Sequence, residues 1–259
     1  MFPRTTHSID GVAISYSVSG TADTAVVLIH GGLADRSFWE GQHTPFSPDF
    51  RVLAPDLAGH GESGRDRQHW GMVEFAHDVL AVLDAEGVPH AILVGNSLGG
   101  MVAIETALLA GARAHPVIDA VIGVDTFQDM GRRIDERWAR EQADAWRRDF
   151  DGTLDRLLAA LFHPDAAPSL VAEVRRRMSK TPPEIVSAMF ASLAGYDTAA
   201  SARQLRMPVR CINGDLFPTN TKAIQECIPD FAAVILPHTG HFPMLERPDN
   251  FNRTLAQLI

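Results

Sequence analysis

Residues 93–100 read LVGNSLGG and place a serine at the point where a strand must give way to a helix. Residues 91–94 before it form a short apolar run typical of a buried strand, and residues 101–110 after it predict a helix. Such a sharp turn crowds one backbone segment against another, so small residues are needed on both sides of its apex. The pattern G-x-S-x-G therefore predicts either a serine that caps the helix or a nucleophile elbow, which exposes the oxygen of Ser97 at the end of a sheet.

Length and composition indicate one globular α/β domain with an insertion. The chain has 259 residues, of which 46% are hydrophobic and 21% charged. Its 23 basic and 32 acidic residues give a formal net charge of -9, which disfavours nucleic acid and anionic membrane as partners. The two cysteines, Cys211 and Cys227, offer neither metal-ligand spacing nor a disulfide framework, so a reducing cytoplasm and no metal site are expected.

Two segments bear on localisation. The first twenty residues lack a basic region followed by an apolar core, so no signal peptide is expected. Residues 91–112 are apolar over a length that could suggest a membrane span. The glycines within this run, together with Asn96 and Glu105, favour instead a buried strand that continues into a buried helix.

Short apolar runs alternate with helical patterns along most of the chain, which predicts a mostly parallel, doubly wound sheet with helices on both faces. Residues 12–18 alternate apolar and polar side chains, as expected of an antiparallel edge strand. Six central strands are predicted at residues 25–29, 51–56, 91–95, 120–125, 208–214 and 232–237. A last helix is predicted to begin around Pro248.

Residues 127–205 differ from the rest of the chain because strand-like runs give way to charged helical patterns. We interpret them as a helical cap inserted after the sixth strand, with residues 1–126 and 206–259 forming the core. The alternative, ordinary crossover helices, would need an unusually long connection between neighbouring strands. Some of the large apolar residues of this insertion are expected to line an apolar pocket, and others to form its own core: Trp138, Trp146, Phe150, Phe162, Met189 and Phe190.

A serine is a weak nucleophile until a base takes its proton, and a third group must fix the tautomer of that base. His241 is the candidate base, because it follows the last predicted strand and the glycine before it allows a tight turn back over the sheet. His238, in the same segment, is expected to support it. His30 and His60 lie in turns after earlier strands and are predicted to be structural. The remaining histidines, His163 among them, follow no predicted parallel strand and are assigned to the surface or to helices.

Amide groups that stabilise a developing oxyanion are expected at two places. The amide of Leu98 follows the serine and lies at the positive end of a predicted helix. The second donor should come from the turn HGGLADRSFW, where Gly32 lets the backbone approach a substrate closely, with Leu33 as the alternative.

Four segments resemble successive landmarks of the α/β-hydrolase superfamily: LIHGG, PDLAGHGES, VGNSLGG and GHFPMLERPDNFN. They occur in the order found in that family and span nearly the whole chain outside the insertion, which falls where the family carries its cap. The resemblance implies the α/β-hydrolase fold and a Ser-His-Asp triad. The family also includes carbon–carbon bond hydrolases, dehalogenases, epoxide hydrolases and lyases, but serine at the elbow argues against typical dehalogenases and epoxide hydrolases.

The third triad member departs from the family pattern. The family usually has its aspartate three residues after the glycine that ends the seventh strand, where this chain has Phe217. Asp215 is available there but comes two residues early, whereas Asp125 immediately follows the sixth strand, as in some superfamily members. Either aspartate could instead be a loop residue that holds backbone amides. We favour Asp125 as the acid and keep Asp215 as the alternative.

These patterns together predict a cytoplasmic, cofactor-free serine hydrolase acting on a small-molecule substrate. The expected substrate is a small to medium, partly apolar carboxylic ester or thioester. Two alternatives stay open: a hydrolase that cleaves a carbon–carbon bond in vinylogous diketones, and a ligand receptor on the same fold with little turnover. The sequence leaves the oligomeric state open, with a homodimer as one option.

Overall fold

The computed structural model describes residues 3–113, 116–130 and 133–259. These residues form an eight-stranded sheet with strands β1 (Pro3–His7), β2 (Ala13–Ser19), β3 (Thr24–Ile29), β4 (Arg51–Pro55), β5 (His90–Asn96), β6 (Val117–Val124), β7 (Val209–Gly214) and β8 (Ala232–Leu236). The α-helices are α1 (Glu40–Phe46), α2 (Met72–Ala85), α3 (Leu98–Gly111), α4 (Glu136–Arg148), α5 (Phe150–Leu161), α6 (Pro168–Met178), α7 (Pro183–Ser192), α8 (Thr198–Ala202), α9 (Thr221–Gln225), α10 (Pro243–Glu246) and α11 (Pro248–Leu258).

The strands lie in the order β1-β2-β4-β3-β5-β6-β7-β8. Strand β2 runs antiparallel to both β1 and β4, and every other neighbouring pair is parallel. The predicted mostly parallel sheet is therefore confirmed, and the strands predicted from the apolar runs correspond to β2 through β8.

The antiparallel edge of the sheet differs from the prediction. Residues 12–18 were expected to form the edge strand, but β1 pairs with the outer side of β2 and is itself the edge. The sequence of β1, PRTTH, is polar and mostly exposed, so it carries none of the apolar alternation that marks a half-buried strand. A short polar edge of this kind also discourages pairing with other chains.

The sheet changes winding direction at β3, which has β4 on one side and β5 on the other. Ligands bind in open α/β sheets at such a switch point, in the crevice beyond the carboxyl ends of the strands. The turn that begins at His30 follows β3, Ser97 follows β5, and Asp125 follows β6. The chain therefore brings these three segments to one edge of the sheet.

The apolar run at residues 91–112 consists of β5 without its first residue, the turn at Ser97 and the whole of α3. Helix α3 is buried on most of its circumference between the sheet and α2, which explains why its sequence is apolar all round. No helix in the described parts of the chain is long and apolar enough to cross a membrane. The cytoplasmic location stays a prediction.

Glycines allow α3 to pack directly against the strands. A Cβ atom on Gly95 would lie 2.1 Å from the carbonyl oxygen of Gly99. A Cβ atom on Gly99 would lie 2.4 Å from the carbonyl oxygen of Ile29, at the end of β3. Any larger residue at these two positions would push the helix away from the sheet, so the expectation of small residues around the turn is met.

Helices α4 to α8, which we call the cap helices, lie between β6 and β7 along the chain, although these strands are neighbours in the sheet. Helix α4 packs closely on α7. Trp146 of α4 is 1% exposed and stacks on Phe190 of α7, with the ring centroids 5.7 Å apart. These aromatic contacts give the cap helices an apolar interior of their own.

Adding one methyl group to α3 tests the close approach of helix and strand. We expect Gly99→Ala to lower the free energy of unfolding by about 2–3 kcal/mol, because the new methyl group meets backbone rather than a movable side chain. The control is Gly111→Ala in the same helix, where a Cβ atom has no neighbour within 4 Å. This variant should be neutral or up to about 1 kcal/mol more stable. Urea denaturation measures both values, and equal effects would contradict the packing argument.

Candidate active site

Ser97 occupies the turn between β5 and α3 in a strained backbone conformation. Its φ of 53° and ψ of -121° lie in a region that residues other than glycine rarely adopt. The amide of Ser97 donates to the carbonyl of Val124 at 3.0 Å, and the amide of Gly100 donates to the carbonyl of Ser97 at 2.9 Å. These bonds fix the turn, and Ser97 does not cap α3 with its side chain. The interpretation of this serine as a simple cap is therefore wrong.

Asp125 and His241 meet at the carboxyl ends of the strands. The Oδ2 atom of Asp125 lies 2.6 Å from Nδ1 of His241, and its Oδ1 atom accepts a hydrogen bond from the amide of Gly214 at 3.0 Å. Asp125 is 1% exposed. A carboxylate at Nδ1 holds the imidazole in the tautomer whose Nε2 atom is free to accept a proton.

Asp215 is not brought to His241. Its carboxylate accepts hydrogen bonds from the backbone amides of His238 at 2.9 Å and Thr239 at 3.0 Å. The Thr239 and His238 amides lower the pKa of this carboxyl group below its usual value, because they stabilise the charged form. Asp215 therefore shapes the turn after β8, which is the loop role considered for it as an alternative.

The backbone of His241 is held by neighbours whose contacts with it were not predicted from the sequence. The Nδ2 atom of Asn96 donates to the carbonyl of His241 at 3.0 Å, and the amide of His241 donates to the carbonyl of Leu161 in the cap helices at 2.8 Å. Glu246 accepts from the amides of Gly240 and Phe242, at 3.0 and 3.1 Å. The only sequence signal for this arrangement is Glu246, the acidic residue in GHFPMLERP. It lies on α10, which follows His241 closely in the chain.

His238 does not support His241, so that prediction is wrong. Its side chain is 69% exposed, and its Nδ1 atom lies 3.0 Å from Oδ2 of Asp165 in the segment after α5. The backbone of His238 has a φ of 53° in the tight turn after β8. The side chains of His238, Asp165 and His163 lie close together, and none of the three lines the cavity over Ser97.

Two buried histidines shape the turn after β3, as predicted. The Nε2 atom of His30 accepts from the amide of Leu57 at 3.0 Å, and Nε2 of His60 accepts from the amide of Leu33 at 3.3 Å. Burial lowers the pKa of both imidazoles, to about 3 for His60, where repulsion from His30 adds to the effect. Both rings are therefore neutral acceptors near pH 7.

The two residues expected to supply the oxyanion donors line the same cavity. Of the two candidates in this turn, the amide of Leu33 is already engaged by His60, whereas the amide of Gly32 has no hydrogen-bond partner in the described part of the chain. Leu98 is the first residue of α3, so its amide has no partner within the helix. Gly32 and Leu98 both line the cavity that contains Ser97.

The cavity has a volume of about 480 Å³ and lies between the strand ends and the cap helices. Ser97 and His241 both line it, although no hydrogen bond joins their side chains in the described structure. Its wall is mostly apolar, with Gln142, Thr153 and Arg156 as its polar cap residues. The apolar cap residues that line it are Ile134, Trp138, Ala145, Trp146, Leu157, Leu161, Met178, Met189, Phe190 and Leu193. Phe150 and Phe162 do not line the cavity: Phe150 packs on Trp146, and Phe162 packs on Phe242.

Comparison with known sequences finds similar proteins over most of the chain. A sequence model described as "Alpha/beta hydrolase family" matches residues 26–254. The chain is 27% identical over 246 residues to a pimeloyl-acyl-carrier-protein methyl ester esterase of Nitrosospira multiformis, and the match covers 87% of this chain and 90% of that protein.

Solved structures give the same result for the fold. An esterase from a Rhodococcus species is 27% identical with a TM-score of 0.81, over 100% of this chain and 98% of that chain. An enol-lactonase from Burkholderia xenovorans is 23% identical with a TM-score of 0.85, over 98% of each chain. The second likeness concerns the fold alone.

The neutral His60 makes stability depend on pH. Its pKa is about 3 in the folded chain against an ordinary 6.5, so the unfolded chain binds one more proton between these values. The contribution of this group is complete above pH 6.5 and is lost as the pH falls toward 3. The free energy of unfolding should therefore decrease by up to about 1.4 kcal/mol per pH unit on acidification through this window because of His60.

The variant His60→Gln removes this titration and should give a shallower pH dependence. Urea denaturation of both proteins between pH 4.5 and 7 measures the two slopes. Identical slopes would show that His60 does not stay neutral in the fold.

Proposed function

The chain belongs to the alpha/beta hydrolase family, and from that membership we propose that it is a serine hydrolase of carboxylic esters or thioesters. The observation that carries the proposal is the 2.6 Å contact between Asp125 and His241, in a chain whose Ser97 turn opens into the same cavity as His241. A serine, an imidazole with its Nε2 atom free, and a buried carboxylate are the groups that acyl transfer requires.

In the proposed first step, Oγ of Ser97 attacks the carbonyl carbon of the substrate while Nε2 of His241 takes the hydroxyl proton. Asp125 stabilises the imidazolium that forms, because its carboxylate faces Nδ1 of the same ring. His241 then gives the proton to the leaving alcohol or thiol as the tetrahedral intermediate collapses to an acyl-enzyme. Water, activated by the same imidazole, attacks the acyl group and releases a carboxylic acid together with free Ser97.

The amides of Gly32 and Leu98 are the proposed donors to the oxyanion of both intermediates. Each amide lacks a partner within its own turn or helix, and the Leu98 amide also carries the positive end of the α3 dipole. Preorganised donors of this kind are typically worth about 2.7–4 kcal/mol of barrier each. The neutral His60 contributes indirectly, since it holds the next amide and thereby the orientation of the turn.

The proposed acyl group is small to medium in size and partly apolar. A cavity of about 480 Å³ suits a small ligand. Its wall is formed largely by aromatic and aliphatic side chains of the cap helices, including Trp138, Met189 and Phe190. Two of the similar proteins above are a methyl ester esterase and an esterase, which supports an ester as the bond cleaved.

Turnover of p-nitrophenyl esters from acetyl to octanoyl tests the proposal. We expect many turnovers per molecule, with kcat/KM rising up to about fourfold for each added methylene until the cavity is filled. A single stoichiometric release of nitrophenol without further turnover would favour the receptor alternative. Turnover of a vinylogous diketone in the absence of any ester hydrolysis would favour the carbon–carbon bond hydrolase.

Replacing each aspartate by asparagine identifies the triad acid. Asp125→Asn keeps the shape of the side chain but removes the charge at Nδ1 of His241, and it should lower kcat by up to about 10⁴-fold. Asp215→Asn is the matched control, because this carboxylate holds the neighbouring turn and does not reach the ring. It should cost much less. The reverse order of losses, measured at saturating ester with both variants folded, would identify Asp215, after the seventh strand, as the acid.

A further inference from the structure

Three side chains that the hydrolase site does not use converge at the junction of the cap helices and the turn after β8. His163 and Asp165 lie in the segment that follows α5, and His238 lies in the turn. Oδ2 of Asp165 lies 3.0 Å from Nδ1 of His238 and 3.5 Å from Nδ1 of His163. One ligand atom from each of the three residues lies within 4.8 Å of the other two.

Two of the three separations match those between the ligands of a small divalent cation, and the third lies within 4.8 Å. Zinc holds nitrogen and oxygen ligands at about 2.0–2.2 Å, so two ligands at tetrahedral angles lie about 3.3 Å apart. The two distances to Asp165 fall on either side of this value. Imidazole nitrogen with one carboxylate oxygen is also a donor set that zinc and its neighbours in the first transition row prefer.

We propose that His163, Asp165 and His238 form a site for a divalent transition metal such as zinc, with water completing its coordination. In the present arrangement Nδ1 of His163 accepts a hydrogen bond from the amide of Asp165 at 3.1 Å, and the metal takes the place of that donor. Asp215, whose carboxylate accepts from the amide of His238, adds a second negative charge to the same turn and favours a cation.

The backbone around the three ligands is held independently of any metal. The His163 amide donates to Oε2 of Glu246 at 3.4 Å, and a Cβ atom on Gly240 would lie 2.6 Å from the nitrogen of His163. The rings of Phe162 and Phe242 pack with their centroids 5.3 Å apart. Because both segments are fixed against each other, a bound metal would tie the cap helices to the turn that leads into His241.

Metal binding to the tag-free protein tests the site without reference to ester hydrolysis. After chelation and buffer exchange, equilibrium dialysis against zinc should give one bound ion per chain, and cobalt should give the visible absorption of a low-coordinate site. Zinc should also raise the melting temperature, because it binds the folded chain. These readouts stay interpretable even if the chain proves not to be an esterase.

Variants locate the ion. His238→Asn and Asp165→Asn should each weaken zinc binding at least about tenfold while the circular dichroism spectrum stays native. His90→Asn is the control, since this exposed histidine lies 3.1 Å from Asp119 but belongs to no three-residue cluster in the described chain. Absence of stoichiometric binding, or binding that survives both ligand variants, overturns the proposal. So does binding that is lost only in His241→Gln, because it would place the ion on the hydrolase site.

Discussion

The left-handed backbone of Ser97 is the constraint on which the arrangement of the molecule depends. Such a turn lets α3 start immediately beyond β5, but only if the helix can approach the ends of β5 and β3 to within backbone contact. Gly95 and Gly99 make that approach sterically possible. The same geometry places Ser97 in the wall of the cavity and leaves the Leu98 amide at the free end of the helix. One turn therefore brings the proposed nucleophile and a proposed anion-stabilising donor together, at the cost of local strain.

The contact between Asp125 and His241 joins strand ends that are far apart in the chain. Asp125 follows β6 and His241 lies beyond β8, and their contact is supported by Gly214 at the end of β7. A buried carboxylate is costly unless hydrogen bonds stabilise it, and the amide of Gly214 and the imidazole provide them. Glu246 and the cap helices fix the backbone on either side of His241. The position of the imidazole thus depends on both the core and the cap helices.

Local patterns in the sequence predicted most of the fold. The parallel strands are buried apolar runs, and the turn at Ser97 has a glycine pattern that few other structures require, so each could be recognised from its own residues. Strand β1 could not, because its polar residues carry no periodic signal. The support that Asn96 gives to His241 is a contact across 145 positions and leaves no local pattern. The prediction for His238 was wrong because proximity in sequence suggested a contact with His241. The ring of His238 instead faces Asp165, which no local pattern reveals. The sequence left Asp125 and Asp215 as alternative triad acids, because the path of each turn decides which carboxylate reaches His241.

Covalent labelling by a fluorophosphonate tests whether Ser97 is the nucleophile, because only an activated serine beside an oxyanion site reacts rapidly with this reagent. We expect one adduct per chain, located by peptide mass spectrometry on Ser97. We also expect Ser97→Ala to lose the adduct while keeping the melting temperature of the parent protein. An adduct on another residue, or labelling of equal rate in Ser97→Ala, would contradict the assignment of Ser97 as the nucleophile.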